Sequence, residues 1–189
     1  MNAQLKAIRE RLATKQDATT IAFLKKIVPG SQKVYGVKTP ELNLLAKEFK
    51  AGGFELVKAL WDSGALEEKI IAIKILEKIG SKDPGRSLRM VKQFAATIDN
   101  WAVCDGLGMQ ALRAARKTHR NEIFAVAKQY NLSKDPWQRR LSLVMVEWYT
   151  RDPSLHPQIN KLVKAVENDK EYYVRKAVQW IRRNLKKGK

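Results

Sequence analysis

The chain has 189 residues, of which 44% are hydrophobic and 30% charged, and 37 Lys and Arg against 19 Asp and Glu give a net charge of +18. The apolar fraction excludes a disordered chain, and the length suits one compact domain or one short helical-repeat array. The positive charge predicts a polyanionic partner. Nucleic acid is favoured over an anionic membrane, because the basic residues are spread along the whole chain.

The remaining composition predicts a cytoplasmic protein without metal, cofactor or membrane association. The first residues lack the charged-then-apolar pattern of a signal peptide, and no apolar run approaches membrane-spanning length. A single cysteine, Cys104, excludes an intrachain disulfide and fits a reducing compartment. The two histidines, His119 and His156, are too isolated to predict a zinc site. Nothing in the pattern requires more than a monomer.

Nearly every stretch of the chain predicts helix. Four dipeptides place a capping residue before proline, which begins a helix because proline at the first helical position loses only an amide that has no partner there. Glycines at positions 52, 53, 64 and 80 fall between the periodic segments and predict helix ends or turns. The four dipeptides are Thr39-Pro40, Asp83-Pro84, Asp135-Pro136 and Asp152-Pro153. The pattern predicts about eleven helices and no strand.

A weak internal repeat relates four of these predicted helices. Steps of 36 residues lead from Ala65 to Trp101, Trp137 and Tyr173, each near the start of a helix with apolar residues at helical spacing. A period of this size is typical of stacked helix pairs that form a curved solenoid. We therefore predict an all-α protein, without a linker that would divide the chain.

Trp101 and Asp105 are the most informative pair in the sequence. They lie one helical turn apart and would point away from the apolar stripe that begins with Val103 and Leu107. A carboxylate beside an indole in so basic a chain predicts a ligand site, and Gly108 would leave room beside the pair. The alternative is close helix packing, in which Trp101 fills space and Asp105 caps the helix or pairs with an arginine.

The segment from about Glu171 to Lys187 predicts a helix with one apolar stripe around Val178. Trp180 lies off that stripe, which suits contact with a nucleic-acid sugar or base while neighbouring cations hold phosphates. Packing of Trp180 on an adjacent helix is the alternative. Its neighbours on the helical wheel are Tyr173, Lys176, Arg183 and Lys187.

Trp137 and Arg140 open another predicted helix. Trp137 falls near the apolar stripe and is predicted to belong to the core, as are Trp61 and Trp148. Arg140 lies off the stripe, where its planar donors would reach outward and bind two phosphate oxygens at once. A solvated surface arginine is the alternative.

Taken in order, these residues resemble the AlkD-type family of DNA alkylation repair enzymes. The resemblance runs through Tyr35-Gly36-Val37-x-x-Pro40-x-Leu42, Asn100-Trp101-x-x-x-Asp105, Trp137-x-x-Arg140 and Lys176-Ala177-x-x-Trp180. It implies one domain, residues 1–189, of HEAT-like helical repeats stacked as a short curved solenoid. A basic concave face would hold the DNA, and the protein would be associated with the nucleoid when bound.

The resemblance implies a glycosylase that removes N3- and N7-alkylated purines from duplex DNA. Asp105 would stabilise positive charge at the anomeric carbon and orient water, Trp101 and Trp180 would contact the deoxyribose, and Arg140 a backbone phosphate. Because the alkylated purine is already cationic, it leaves without a general acid. One carboxylate is then enough to stabilise the positive charge that develops on the sugar. Phe23 stands where the family tends to have a tyrosine lining the DNA cleft, and the chain is shorter than typical members.

Two other functions stay open at this point. The same basic groove suits a noncatalytic binder of branched or damaged DNA, because relatives without glycosylase activity belong to the same superfamily. A helical-repeat scaffold for proteins or RNA also fits the composition. The sequence does not indicate which alkylated base is preferred.

Overall fold

The computed structural model describes residues 3–30 and 33–188, and this part of the chain consists of helices and turns without a strand. The all-α prediction is confirmed. The α-helices are α1 (Ala3–Thr14), α2 (Ala18–Ile27), α3 (Thr39–Glu48), α4 (Gly53–Asp62), α5 (Leu66–Ile79), α6 (Pro84–Phe94), α7 (Trp101–Gly106), α8 (Ala115–Thr118), α9 (Arg120–Asn131), α10 (Pro136–Val144), α11 (His156–Ala165) and α12 (Tyr172–Lys187).

Shorter helical segments connect several of these helices. A π-helical segment, Leu107–Ala111, continues directly from α7. The 3₁₀ segments are Phe49–Gly52, Gly80–Lys82, Ala95–Thr97, Glu147–Arg151 and Pro153–Leu155. None of the helices in residues 3–30 and 33–188 is long and apolar enough to cross a membrane.

Three of the four predicted Xaa-Pro helix starts are capped by their carboxylates. The side chains of Asp83, Asp135 and Asp152 each accept a hydrogen bond from a backbone N–H two or three residues further on. The fourth start differs, because Lys38 occupies the N-cap of α3 without a side-chain hydrogen bond and Thr39 is already helical. At α3 the proline alone marks the start.

The predicted 36-residue offset coincides with four helix starts. Ala65 is the N-cap of α5, Trp101 is the first residue of α7, and Trp137 and Tyr173 are the second residues of α10 and α12. These helices pack in chain order: α5 against α7, α7 against α10, and α10 against α12. Helices α4, α9 and α11 pack beside α5, α10 and α12 respectively. The curvature of this series and a basic concave face stay predictions.

Buried apolar side chains from nearly every helix form the core. Trp61 stacks on Phe94 with ring centroids 4.4 Å apart, and its indole N–H donates to Thr97 Oγ1 at 2.9 Å. Its predicted structural role is confirmed. Cys104 is fully buried, and its thiol lies 3.7 Å from the carbonyl oxygen of Trp137. Burial raises the pKa of this thiol well above its ordinary value.

Two buried carboxylates at the start of α5 hold the Tyr35-Gly36-Val37 segment. Glu67 accepts hydrogen bonds from the backbone N–H groups of all three residues, at 3.0, 2.7 and 3.2 Å. Glu68 accepts from the Tyr35 hydroxyl at 2.8 Å. Burial, reinforced by this hydrogen bond, raises the pKa of Tyr35 to about 12. The Tyr35-Gly36-Val37 part of the pattern that resembles the AlkD-type family therefore has a structural role.

The glycine in that segment is required by its surroundings. Gly36 has a φ of +76°, a conformation that side-chain-bearing residues rarely adopt, and a Cβ there would lie 2.4 Å from Ile21 Cγ1 on α2. Because Glu67 holds the same segment from α5, the close approach at Gly36 ties α2 to α5.

Candidate functional site

Asp105 and Arg140 form a two-pronged ion pair that joins α7 to α10. Arg140 Nε donates to Asp105 Oδ1 at 2.9 Å, and Arg140 Nη2 donates to Oδ2 at 2.8 Å. Arg140 Nη1 donates to the backbone carbonyl of Tyr173 on α12 at 2.6 Å. One guanidinium therefore fixes the carboxylate relative to three helices.

The prediction that Arg140 reaches outward is wrong. Its side chain is only 7% exposed and is turned towards α7 and α12, because the carboxylate of Asp105 and the carbonyl of Tyr173 both lie on that side. Pairing of Asp105 with an arginine, which the sequence left as an alternative, is what the structure shows. A contact between Arg140 and a DNA phosphate stays a prediction.

The Asp105 carboxylate is largely, but not fully, withdrawn from water. Its side chain is 22% exposed. Burial raises the pKa of Asp105, while the hydrogen bonds and charge of Arg140 act in the opposite direction without cancelling the effect of burial. A partly desolvated carboxylate interacts more strongly with a nearby positive charge than one in bulk water. This arrangement can stabilise a cation that forms beside Asp105.

Trp101 is oriented by a backbone group from the first part of the chain. Its indole Nε1 donates to the carbonyl of Ile27, the last residue of α2, at 2.8 Å. The side chain of the buried Asn100 accepts from the backbone N–H of Val103 at 3.1 Å and so begins α7. With the helix started there, Trp101 and Asp105 lie one turn apart and both keep partial exposure.

A cluster of three aromatic rings, from the first residues of α10 and of α12, lies next to the Asp105–Arg140 ion pair. Trp137 and Tyr173 are in contact, with centroids 5.2 Å apart, and Tyr172 meets Tyr173 edge to face at 5.0 Å. The ammonium of Lys176 lies 5.3 Å from the centre of the Tyr172 ring, within cation–π range. Trp137 packs against the core, as predicted. Tyr172 and Lys176 are exposed, so they can meet a ligand that approaches the ion pair.

The helix that carries Asp105 does not keep a regular α-helical register. After Gly106 it widens into the π-helical segment Leu107–Ala111, and Leu112, which a regular wheel places on the side of Asp105, is completely buried. Gly108 packs tightly, since a Cβ there would lie 2.6 Å from Val144 Cγ1 on α10. The prediction that Gly108 leaves room beside Trp101 and Asp105 is therefore wrong, and close helix packing is the reason for this glycine.

A family model described as DNA alkylation repair enzyme matches residues 8–189. The chain belongs to the DNA alkylation repair enzyme family. The match includes the Asp105–Arg140 pair, Trp101 and the aromatic residues at the start of α12. A search of curated proteins finds no match. Membership gives the protein a role in DNA alkylation repair, with DNA as its partner.

In this DNA alkylation repair enzyme, the other predicted site residues lie on α2 and α12. Trp180 is half-buried on α12, and Phe23 on α2 is 57% exposed. Arg183 and Lys187 are exposed on the same helix as Trp180. Within the described ranges, no ion pair, hydrogen bond or ring contact joins these four residues to Asp105 or Arg140. Their contact with DNA stays a prediction.

Two features of the site were not predicted. Tyr172 was missed, although its position beside Tyr173 at the start of α12 and off the apolar stripe was a signal in the sequence. The carbonyl of Ile27 had no such signal, because a backbone group 74 residues away from Trp101 reaches it only through the tertiary fold. No group of three or more His, Cys, Asp or Glu side chains that could hold a metal ion occurs in residues 3–30 and 33–188.

Proposed function

We propose that this protein is a DNA glycosylase that removes positively charged N3- or N7-alkylated purines from duplex DNA by hydrolysis of the N-glycosidic bond. The observation that carries the proposal is the Asp105 carboxylate, partly desolvated one turn from Trp101 and held at both oxygens by Arg140. The family's role in alkylation repair supports the same conclusion.

The proposed reaction needs only one carboxylate. As the bond between the sugar C1′ and the purine nitrogen breaks, its electron pair goes to the purine, which neutralises the alkylated base. Positive charge then develops at C1′, where the negative charge of Asp105 stabilises it. A water molecule adds to C1′ and releases one proton to the solvent, and the oxygen lone pairs of Asp105 that Arg140 leaves free orient this water.

Arg140 has two tasks in this proposal. Its Nε and Nη2 donors hold the carboxylate at a fixed position, so that the site reorganises little during the reaction. Three of the five N–H donors of a guanidinium are used by Asp105 and Tyr173. The second task of Arg140 is a contact with a backbone phosphate, which would have to reach the 7% of the side chain that is exposed.

The remaining predicted residues would hold the DNA. Trp101 and Trp180 would place their rings against the deoxyribose, whose C–H groups become more positive as the bond breaks. Phe23 would line the cleft from α2. Four residues of α12 would meet the backbone, and they are the partly buried Tyr173 and the exposed Lys176, Arg183 and Lys187.

The experiment that tests the proposal is release of free base from a duplex containing a single N7-methylguanine. Asp105→Asn keeps the shape of the side chain but removes its charge, and we expect base release to fall by roughly 10²-fold or more with duplex affinity retained. Asp62→Asn is the matched control, because Asp62 is an exposed aspartate of α4 that pairs with Lys58 and not with Arg140. Full activity in Asp105→Asn would contradict the role of Asp105. Absence of release by the wild-type protein, on DNA that it binds, would instead favour a noncatalytic DNA-structure binder.

A further inference from the structure

A basic groove lies away from the residues of the proposed catalytic site. It has a volume of about 870 Å³ and is enclosed by the second half of α5, the π-helical segment, α8 and the Glu147–Arg151 segment. None of Trp101, Asp105, Arg140 and Trp180 lines it. The groove therefore needs an explanation of its own.

The walls of this groove carry more positive than negative charge. Its two carboxylates are already engaged: Glu77 pairs with Arg113 at 2.8 Å, and Glu147 accepts from the Asn184 amide at 2.8 Å and lies 3.7 Å from Arg151. Against these two acidic side chains, the lining has five cationic side chains, and they are Lys74, Arg113, Arg116, Lys117 and Arg151.

Lys74 and Lys117 are the least compensated of these cations. In the described part of the chain, the side-chain ammonium group of neither lysine forms an ion pair or a hydrogen bond. Burial and the nearby charge of Lys78 lower the pKa of Lys74, with only partial relief from Glu77. An anion in the groove would offset both effects.

Arg116 is a buried cation with an unpaired donor. It is 9% exposed, its guanidinium lies over the Trp148 ring at 5.7 Å, and Nη2 donates to the Met109 carbonyl. Its Nε–H is buried and has no partner among the described residues. A buried donor without an acceptor is costly, and such groups in folded proteins indicate an ordered water or a ligand that completes the site.

We propose that this groove binds a phosphate group. The guanidinium of Arg116 suits a tetrahedral oxyanion because its planar donors can engage two oxygens, and Lys74 and Lys117 add positive charge to the lining of the groove. The phosphate has two possible sources, a free phosphate ion or the backbone of bound DNA. Only the DNA source rests on the proposed function.

The first experiment measures binding of inorganic phosphate to the DNA-free protein by thermal unfolding, with chloride at equal ionic strength as the reference. We expect phosphate at about ten times its Kd to raise the Tm of the wild type by about 3 °C. Lys74→Gln and Lys117→Gln should lose this rise. Both change partly or fully exposed side chains, so they are expected to fold. Lys164→Gln, on the exposed side of α11, is the charge-matched control and should keep it.

The second experiment distinguishes the sources with undamaged duplex. A DNA phosphate in the groove predicts that Lys74→Gln binds duplex about tenfold more weakly than Lys164→Gln. The slope of log K against log salt should also fall by about 0.9. Equal DNA affinity of the two variants, together with a phosphate effect specific to Lys74 and Lys117, assigns the groove to a free phosphate.

The proposal is overturned if neither assay separates the groove variants from Lys164→Gln. A uniform Tm rise in all variants counts as no separation in the first assay, because it reports general binding of anions to a basic protein. Base release from alkylated duplex is measured separately on the wild type. Failure of the glycosylase assignment would therefore leave the phosphate result to stand on its own.

Discussion

The indole of Trp101 donates its N–H to the backbone carbonyl of Ile27, so the ring beside Asp105 is positioned by the end of α2. This bond links one wall of the proposed catalytic site to a segment that Gly36 and Glu67 tie to α5. The orientation of the ring therefore depends on packing in the first part of the chain.

Trp101→Phe keeps an aromatic ring at the site but removes the donor to Ile27. We expect a loss of about 1 kcal/mol in the free energy of unfolding, since the carbonyl loses its partner, and a fall in base release beyond any fall in duplex affinity. Urea unfolding and single-turnover base release measure the two effects. Trp61→Phe is the matched control, because it removes a similar indole hydrogen bond, to Thr97, inside the core. Equal losses of activity in both variants would show that Trp101 acts through stability alone.

Replacement of Arg140 should change the pH dependence of base release. Burial raises the pKa of Asp105 and Arg140 lowers it, so in Arg140→Gln that pKa rises further. The reaction needs the ionised carboxylate, and its rate falls as pH drops through this pKa. The acid limb of the profile in Arg140→Gln therefore moves to higher pH, which base release measured from about pH 4 to 8 will show.

Arg140→Lys separates charge from geometry at the same position. The lysine ammonium keeps the positive charge but lacks the two parallel donors of the guanidinium. The acid limb of the pH profile should therefore shift less than in Arg140→Gln, while the rate of base release at pH values above this limb still falls. Arg140→Gln removes a largely buried ion pair and Arg140→Lys weakens it, at a cost of about 3 kcal/mol for the complete loss. Unchanged acid limbs in both variants would contradict the influence of Arg140 on Asp105.

Gly108→Ala should destabilise the protein through the contact between the π-helical segment and α10. The added Cβ would lie 2.6 Å from Val144 Cγ1 and 3.0 Å from the Val144 backbone carbon, and overpacking of this kind costs about 1–3 kcal/mol. Gly85→Ala on α6 is the control, because its Cβ would meet only side-chain atoms at 3.2 Å or more. Val144→Ala should rescue part of the loss, as measured by a double-mutant cycle. Wild-type stability of Gly108→Ala would show that α10 yields at this contact.

Glu67→Ala should be among the most destabilising changes of a single carboxylate. It leaves the backbone N–H groups of Tyr35, Gly36 and Val37 without their acceptor in a buried place, which we expect to cost about 3 kcal/mol or more. Glu55→Ala removes a highly exposed carboxylate paired with Arg86 and should cost at most about 1 kcal/mol. Chemical denaturation compares the two. If both variants lose a similarly small amount of unfolding free energy, water replaces the carboxylate of Glu67 as the acceptor.

Local signals in the sequence predict helix starts because capping and proline act within one turn. Asp83 and Asp135 accept the backbone N–H groups expected of them, and the 36-residue offset places Trp101 and Tyr173 at helix starts. The Asn100-Trp101-x-x-x-Asp105 pattern likewise locates the candidate site, since Asn100 begins α7.

The partners of the site residues cannot be obtained from the same signals. Arg140 meets Asp105 across 35 positions of the chain, and its inward direction depends on the packing of α7 against α10. The π-helical segment shifts the register after Gly106, so a regular helical wheel misplaces Leu112. These are properties of tertiary packing, which a local period does not encode.

The bonds to Ile27 and to Tyr173 also determine when the proposed site is complete during biosynthesis. The groups that position Trp101 and Asp105 come from α2, α7, α10 and α12, which leave the ribosome in that order. A nascent chain that ends before Tyr173 holds the carboxylate and its guanidinium but lacks the third acceptor that orients Arg140. All three hydrogen bonds of Arg140 are therefore present only after α12 has emerged and packed, and we expect chains that end before Tyr173 to release base more slowly than the complete protein.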